Sequence, residues 1–168
     1  AFYALGEYEA ADECYRSSLA RRRRLGSQWG IAATLNNLGL ISMDQGDLEG
    51  AQVQFEESLS ICSEIGDERG AAIASNNLGE IAWLQGHFRR AAPYHQQSLE
   101  TFTRIGHANG IVFSLNYLGQ AYLGSGNPGA AERHFRQALA LSRNNASTPR
   151  SLDSLLGMAG VYARRGLQ

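Results

Sequence analysis

The sequence predicts an all-α solenoid of antiparallel helix pairs, and three observations carry that prediction. Glycine returns every 40 residues, at Gly6, Gly46, Gly86, Gly126 and Gly166. Leu38-Gly39 returns with it as Leu78-Gly79 and Leu118-Gly119 and drifts to Met158-Ala159, while Ala51, Ala91 and Ala131 hold one register and Leu59, Leu99 and Leu139 another. Between these marks the apolar residues recur at steps of three and four, the spacing of a helix face and not of a strand. A fixed period of this length describes units that bury their apolar faces only by stacking on their neighbours. Such an architecture offers an extended binding surface in place of a closed catalytic pocket.

Each period holds two helical stripes. The first reads Ile31, Leu35, Leu38, Ser42, then Ala71, Ser75, Leu78, Ala82, then Ile111, Leu115, Leu118, Tyr122. The second reads Leu48, Ala51, Phe55, Leu59, Cys62, with Phe88, Ala91, His95, Leu99, Phe102 and Ala131, Phe135, Leu139, Ser142 as counterparts. Glycines at 46, 86 and 126 follow the first helices and glycines at 26, 66 and 106 the second, where a left-handed residue ends a helix at no steric cost. Asp47 and Asn127 are placed to cap the second helices, His87 is a poorer cap, and Pro128 suits a first helical position. The expected spans are 7–25, 28–45, 48–65, 68–85, 88–105, 108–125, 128–144 and 148–165, after a stub at 1–5. Helices of that length run to about 25 Å. The loosest turn is Asn144 to Pro149. The whole chain reads as one solenoid, with repeats at 27–66, 67–106 and 107–146 and partial repeats at 1–26 and 147–168. It begins and ends inside a repeat and is expected to be part of a longer protein.

Composition narrows the function classes. A chain that is 43% hydrophobic with three prolines suits a packed helical protein. A net charge of −1 supplies no global field toward nucleic acid or an acidic membrane. All basic residues are arginine, a compositional bias and not a site. Cys14 and Cys62 occupy different positions in their repeats, which argues against a disulfide and for two reduced, half-buried thiols in a reducing compartment. No apolar run approaches the roughly 20 residues of a membrane span, no signal peptide opens the chain, and a cytoplasmic location is expected.

No catalytic motif emerges. His87, His95, His107 and His134 lack metal-ligand spacing, and His95, which replaces Phe55 and Phe135, is expected as a half-buried packing residue. Gly124-Ser125-Gly126 lacks the Lys-Ser/Thr of a phosphate loop. No serine has a convincing base partner, so neither enzymatic activity nor a metal or cofactor is expected. Arg21-Arg22-Arg23-Arg24 ends a helix, where the dipole favours positive charge; a docking surface for acidic protein or nucleic acid is the other reading. Mid-helix glycines at 39, 79 and 119 each cost about 1 kcal/mol against alanine, which points to close approach of the paired helix at Ala51, Ala91 or Ala131.

The order Leu38-Gly39, Ser42, Gly46, Ala51, Phe55, repeated at Leu78-Gly79 and Leu118-Gly119, resembles the tetratricopeptide repeat. The resemblance covers the whole chain. It departs in length, 40 residues against the usual 34, and lacks the common closing proline. That variant is similar to the repeats of kinesin light chain, of spindle-orientation adaptors with GoLoco motifs, and of bacterial LuxR-type and signalling-ATPase regulators, the last being the nearest in composition. The resemblance implies a right-handed superhelical solenoid whose first helices line a concave groove. It places Asn36, Leu40 and Met43, then Asn76, Glu80 and Trp83, then Asn116, Gln120 and Leu123 on that groove, with Phe113 adding apolar contact. Asn37 and Asn77, replaced by Tyr117, resemble an asparagine that contacts ligand in some members. An amide both donates and accepts, so the asparagines at 36, 76 and 116 suit a peptide backbone; the alternative is that they bond between neighbouring helices. The basic residues of a carboxylate clamp are absent.

The expected function is a non-catalytic protein- or peptide-binding scaffold, the sensor or interaction region of a larger bacterial signalling or transcription regulator, binding a protein or peptide in the groove and neither nucleic acid nor membrane. The alternatives are an architectural module that self-associates through exposed terminal helices carrying Leu155 and Met158, or an accessory domain of an ATPase or protease.

Overall fold

The computed structural model describes residues 8–144 and 148–166, and among them the chain forms eight α-helices and no strand. These are α1 (Tyr8–Arg24), α2 (Gln28–Asp44), α3 (Leu48–Ile65), α4 (Glu68–Leu84), α5 (Phe88–Arg104), α6 (Ala108–Gly124), α7 (Pro128–Asn144) and α8 (Thr148–Arg165). The expected helices are all present. Gly6, the stub at 1–5 and positions 145–147 of the expected loose turn lie outside the described residues. The chain divides into two compact units, the first ending at Ala74 and the second beginning at Ser75, inside α4.

The turns follow the glycines. Gly46 and Gly126 each take φ of 82°, a left-handed conformation that only glycine adopts freely, and the other helix-ending glycines behave alike. The Asp47 amide then bonds back to the Ser42 carbonyl at 2.8 Å, closing the helix end. Asp47 accepts from the Gly50 amide at 2.9 Å and Asn127 from the Ala130 amide at 3.1 Å, so both cap as expected. His87 makes no side-chain cap bond. Two further caps escaped the sequence reading: Asp67 accepts from the Gly70 amide and His107, through Nδ1, from the Gly110 amide, each at 2.9 Å. Pro93 lies inside α5, a position the sequence reading did not mark as interrupted.

In the first unit α2 packs on α1 and α3. Phe55 is fully buried under Gly39, and Ser58 donates to the Ala32 carbonyl at 2.9 Å. The arginine run disperses: Arg22 turns to the Gly30 carbonyl and the Thr34 hydroxyl, at 2.7 and 2.8 Å, and Arg23 pairs with Glu57 at 2.7 Å. Neither thiol is half-buried. Cys14 is exposed and Cys62 buried, and both are free. Burial and the nearby Asp67 carboxylate push the Cys62 thiol up, which keeps it protonated.

In the second unit α6 packs on α5, α7 and α8. One apolar cluster joins Leu123, Ala131, Phe135 and Val161, and another joins Val112, Leu115 and Ala138. The mid-helix glycines correct the sequence reading in detail. A Cβ at Gly79 or Gly119 would lie 2.5 Å from the His95 or Phe135 ring respectively, so each glycine admits the aromatic four residues beyond the alanine, not the alanine itself. The alanine lets the helices approach; the ring fills the gap the glycine leaves.

Candidate functional site

First helices expose a face beside their buried stripe, and each unit carries a solvent-open depression built on such a face. In the first unit α2 supplies Trp29, Asn36 and Asn37, α3 supplies Cys62, the turn before α4 supplies Asp67 and the start of α4 supplies Arg69, around about 290 Å³. Trp29 is mostly exposed, at 64%. Leu40 and Met43, expected in the groove, are half-buried on α2 and do not line this depression.

The depression of the second unit has the same volume, about 290 Å³, and a different chemistry. Glu80 and Trp83 come from α4, Phe113, Asn116, Tyr117 and Gln120 from α6, and Asp153 and Leu156 from α8. Six of these eight were expected on the groove. Asp153 and Leu156 were not singled out, although the signal was available: they stand one 40-residue period after Phe113 and Asn116. Tyr117 forms the floor. Its ring stacks on His95 with centroids 5.0 Å apart and meets Phe113 edge-on at 4.7 Å. Its hydroxyl donates to the Glu80 carboxylate, and burial, then Glu80, then Asp153 push its pKa up, so it stays a neutral donor.

Four expected groove residues are buried more deeply than a groove position implies. Leu123 belongs to the core around Phe135. Asn76 is only 2% exposed, with its Oδ1 2.6 Å from His95 Nδ1. Asn116 is 8% exposed, and its Oδ1 accepts from the Ser154 hydroxyl at 2.7 Å. Asn77 is also buried and has polar or packing partners of its own. The amides of Asn76 and Asn116 thus serve bonds between helices. For Asn116 and Leu123 the cause is the number of neighbours: a helix packed on three others, as α6 is, has a buried face wider than one stripe.

His95 lies deeper than expected, fully buried under Gly79. Burial lowers its pKa to about 3, so the ring is neutral near pH 7. Its Nε2 and the Asn76 Nδ2 are buried without a hydrogen-bond partner. Among the described residues no group of three or more His, Cys, Asp or Glu side chains is arranged to hold a metal ion, and no helix is long and apolar enough to cross a membrane.

Comparison with known proteins agrees with this architecture. The family model described as Tetratricopeptide repeat matches residues 30–104 and 91–144, together more than half of the chain. No curated protein matches the sequence. Among solved structures, BtubC (BKLC) from P. vanneervenii is similar with a TM-score of 0.85 at 24% identity, over 96% of this chain and 68% of that one. A candidate kinesin light chain from Podosopora anserina with nearly identical TPR-like repeats gives 0.76 at 18% identity, over 97% and 81%. MamA from Desulfovibrio magneticus RS-1 gives 0.53 at 17% identity, over 98% and 99%. At these identities the likeness is one of fold.

Proposed function

The chain belongs to the tetratricopeptide repeat family, and from that premise we propose that it is a non-catalytic protein- or peptide-binding scaffold, the interaction or sensor region of a larger bacterial, cytoplasmic signalling or transcription regulator. Repeats of this family are generally non-catalytic and bind proteins. The observation that carries the reading is the depression of the second unit, where three aromatic rings, two amides and two carboxylates converge on one open cavity. A few convergent polar groups over an apolar floor is the make-up of a binding site. Rings held by packing lose little freedom on binding, so a ligand meets a preformed surface.

The test is affinity capture from lysate, followed by mass spectrometry, with wild type beside Trp29→Ala and Leu156→Glu. Both substituted side chains are largely exposed, so the fold is retained. A protein held by wild type and lost by either variant supports recognition at that depression. A protein held equally by all three moves recognition to another surface, and no bound protein contradicts the scaffold reading.

A second reading has its own observation. Leu152, Leu155 and Leu156 of α8 are 57%, 47% and 71% exposed, an apolar strip suited to self-association. Light scattering between micromolar and millimolar concentration tests it: a size that grows with concentration and reverts on Leu152→Gln/Leu155→Gln supports an architectural role, and a constant monomer excludes it.

A further inference from the structure

We propose that the outward face of α8 pairs with α8 of a second copy of this chain, antiparallel and about a two-fold axis, with leucines of each copy seated against alanines of the other. The inference rests on the self-association reading and specifies its geometry.

The face is the one that α6 gives to α7, moved on by one period. On α6, Val112, Gly119 and Leu123 are buried and meet Ala138, Phe135 and Ala131 of α7. The positions 40 residues later are Leu152, Ala159 and Ala163, and these three and Leu156 are all exposed. Steps of four, three and four residues put the four side chains on one side of the helix. Ser154, Gly157 and Val161 are buried on its other side, Gly157 against the Phe135 ring. Helix α8 thus carries an apolar strip opposite the face that packs on its own chain.

Ala159 narrows what can cover that strip. A Cβ at Gly39 would lie 2.4 Å from the Phe55 ring, and one at Gly79 or Gly119 would lie 2.5 Å from the His95 or Phe135 ring. Ala159 carries that Cβ, so a helix that brings a ring to this register, as α3, α5 and α7 do, is denied the same fit. The occupant needs aliphatic side chains to meet the alanines and small ones to meet the leucines.

Helix α8 itself supplies both. Its leucines stand in the first half of the strip and its alanines in the second. Antiparallel pairing centred between Gly157 and Met158 sets Leu152 level with the second copy's Ala163 and Leu156 level with its Ala159, large against small each time. Leu155, 47% exposed, flanks the seam. Parallel pairing would crowd leucine on leucine at one end and leave a gap between alanines at the other. A two-fold contact uses the same patch on both copies and closes at two, so the product is a dimer and not a filament. Leu156 also lines the depression of the second unit, so the second copy covers part of that wall.

One helix pair is a small interface, so sedimentation equilibrium is run from about 10 µM to 1 mM. A reductant is present because Cys14 is an exposed free thiol. Wild type is expected to pass from monomer to dimer and no further. Ala159→Leu adds apolar surface yet sets leucine on leucine, and is expected to weaken the dimer by about tenfold or more. Leu156→Ala/Ala159→Leu exchanges the two sizes and is expected to restore it to within about threefold of wild type. Both positions are exposed, so the fold is kept, and circular dichroism checks this. Association that Ala159→Leu leaves unchanged or strengthens, or that the exchange fails to restore, overturns the antiparallel pairing while the self-association reading stands. Growth beyond a dimer overturns the two-fold contact in the same way. A monomer throughout the range overturns both.

Discussion

Two slots in the second unit are built alike and filled differently. Under Gly119 lies Phe135 and under Gly79 lies His95, each fully buried. Phe135 is also faced by Gly157 of α8, and its neighbours Leu123, Ala131 and Val161 are apolar. His95 has Asn76 on one side and the Tyr117 ring on the other. The glycine selects for a flat ring of that size, while the chemistry of the ring is left to its surroundings. An imidazole brings two nitrogens into an apolar layer, and only one has a partner. The Phe135 slot is therefore purely structural. The His95 slot is a polar junction whose stacked neighbour, Tyr117, floors the candidate site.

The largest effect that separates the slots is expected from truncation. Phe135→Ala removes a fully buried ring between two glycines and should cost about 3–5 kcal/mol in urea denaturation, because two helices would have to collapse into the gap. A loss below about 1 kcal/mol would mean that the slot closes easily and that the glycines do not hold it open.

Acid should distinguish the slots next. His95 has a folded pKa of about 3 against 6.5 unfolded, so only the unfolded chain takes up its proton between those values. Its effect on stability is absent above pH 6.5, grows as pH falls through the window, and amounts to about 2 kcal/mol of destabilisation at pH 5. His134, lowered by partial burial and by Arg133, adds in the same direction. Denaturation at pH 7.5 and pH 5 should show this loss in wild type and in Phe135→Leu, and most of it should vanish in His95→Phe. An unchanged loss in His95→Phe would mean that His95 titrates normally.

The polar pair itself gives a smaller effect. His95→Phe fits the ring but strips Asn76 Oδ1 of its partner, and should destabilise by about 1–3 kcal/mol at pH 7.5. Adding Asn76→Leu should recover at least half of that. Additive costs in the double-mutant cycle would contradict the pairing.

The smallest effect concerns the helix starts. His87 makes no cap bond where Asn127 does, so His87→Asp should raise the midpoint by about 0.5–1 kcal/mol and Asn127→Ala should lower it by a similar amount. Equal responses at both sites would mean that the caps are interchangeable with water.

The contrast also explains which features were legible in the sequence. Helix order, turn positions and the caps at Asp47 and Asn127 follow from local rules that repeat with the period, and every helix boundary agrees within two residues. Six of the eight residues around the second depression were named from the resemblance to the tetratricopeptide repeat, which puts that face of the first helices on the groove. What spacing alone did not give was depth. The stripe rule assigns one buried face per helix, whereas α6 meets three helices, so Asn116 and Leu123 are enclosed although they lie off the stripe. The resemblance placed Asn76 on the groove, where it is instead the hydrogen-bond partner of His95. A histidine in a phenylalanine register was the clue: a buried imidazole requires a polar partner on the facing helix. The thiol depths were missed for a related reason, since Cys62 continues an apolar stripe and Cys14 does not.

Recognition at the second depression requires the face of α6 that carries Tyr117 and Gln120. A photo-crosslinking residue placed at Gln120, and in a second protein at the exposed Gln96 of α5, tests this directly on the partner captured by wild type. Crosslinks from Gln120 with none from Gln96 are the predicted result. Crosslinks from Gln96 with none from Gln120 would put the partner on the opposite helix layer and contradict the proposed site.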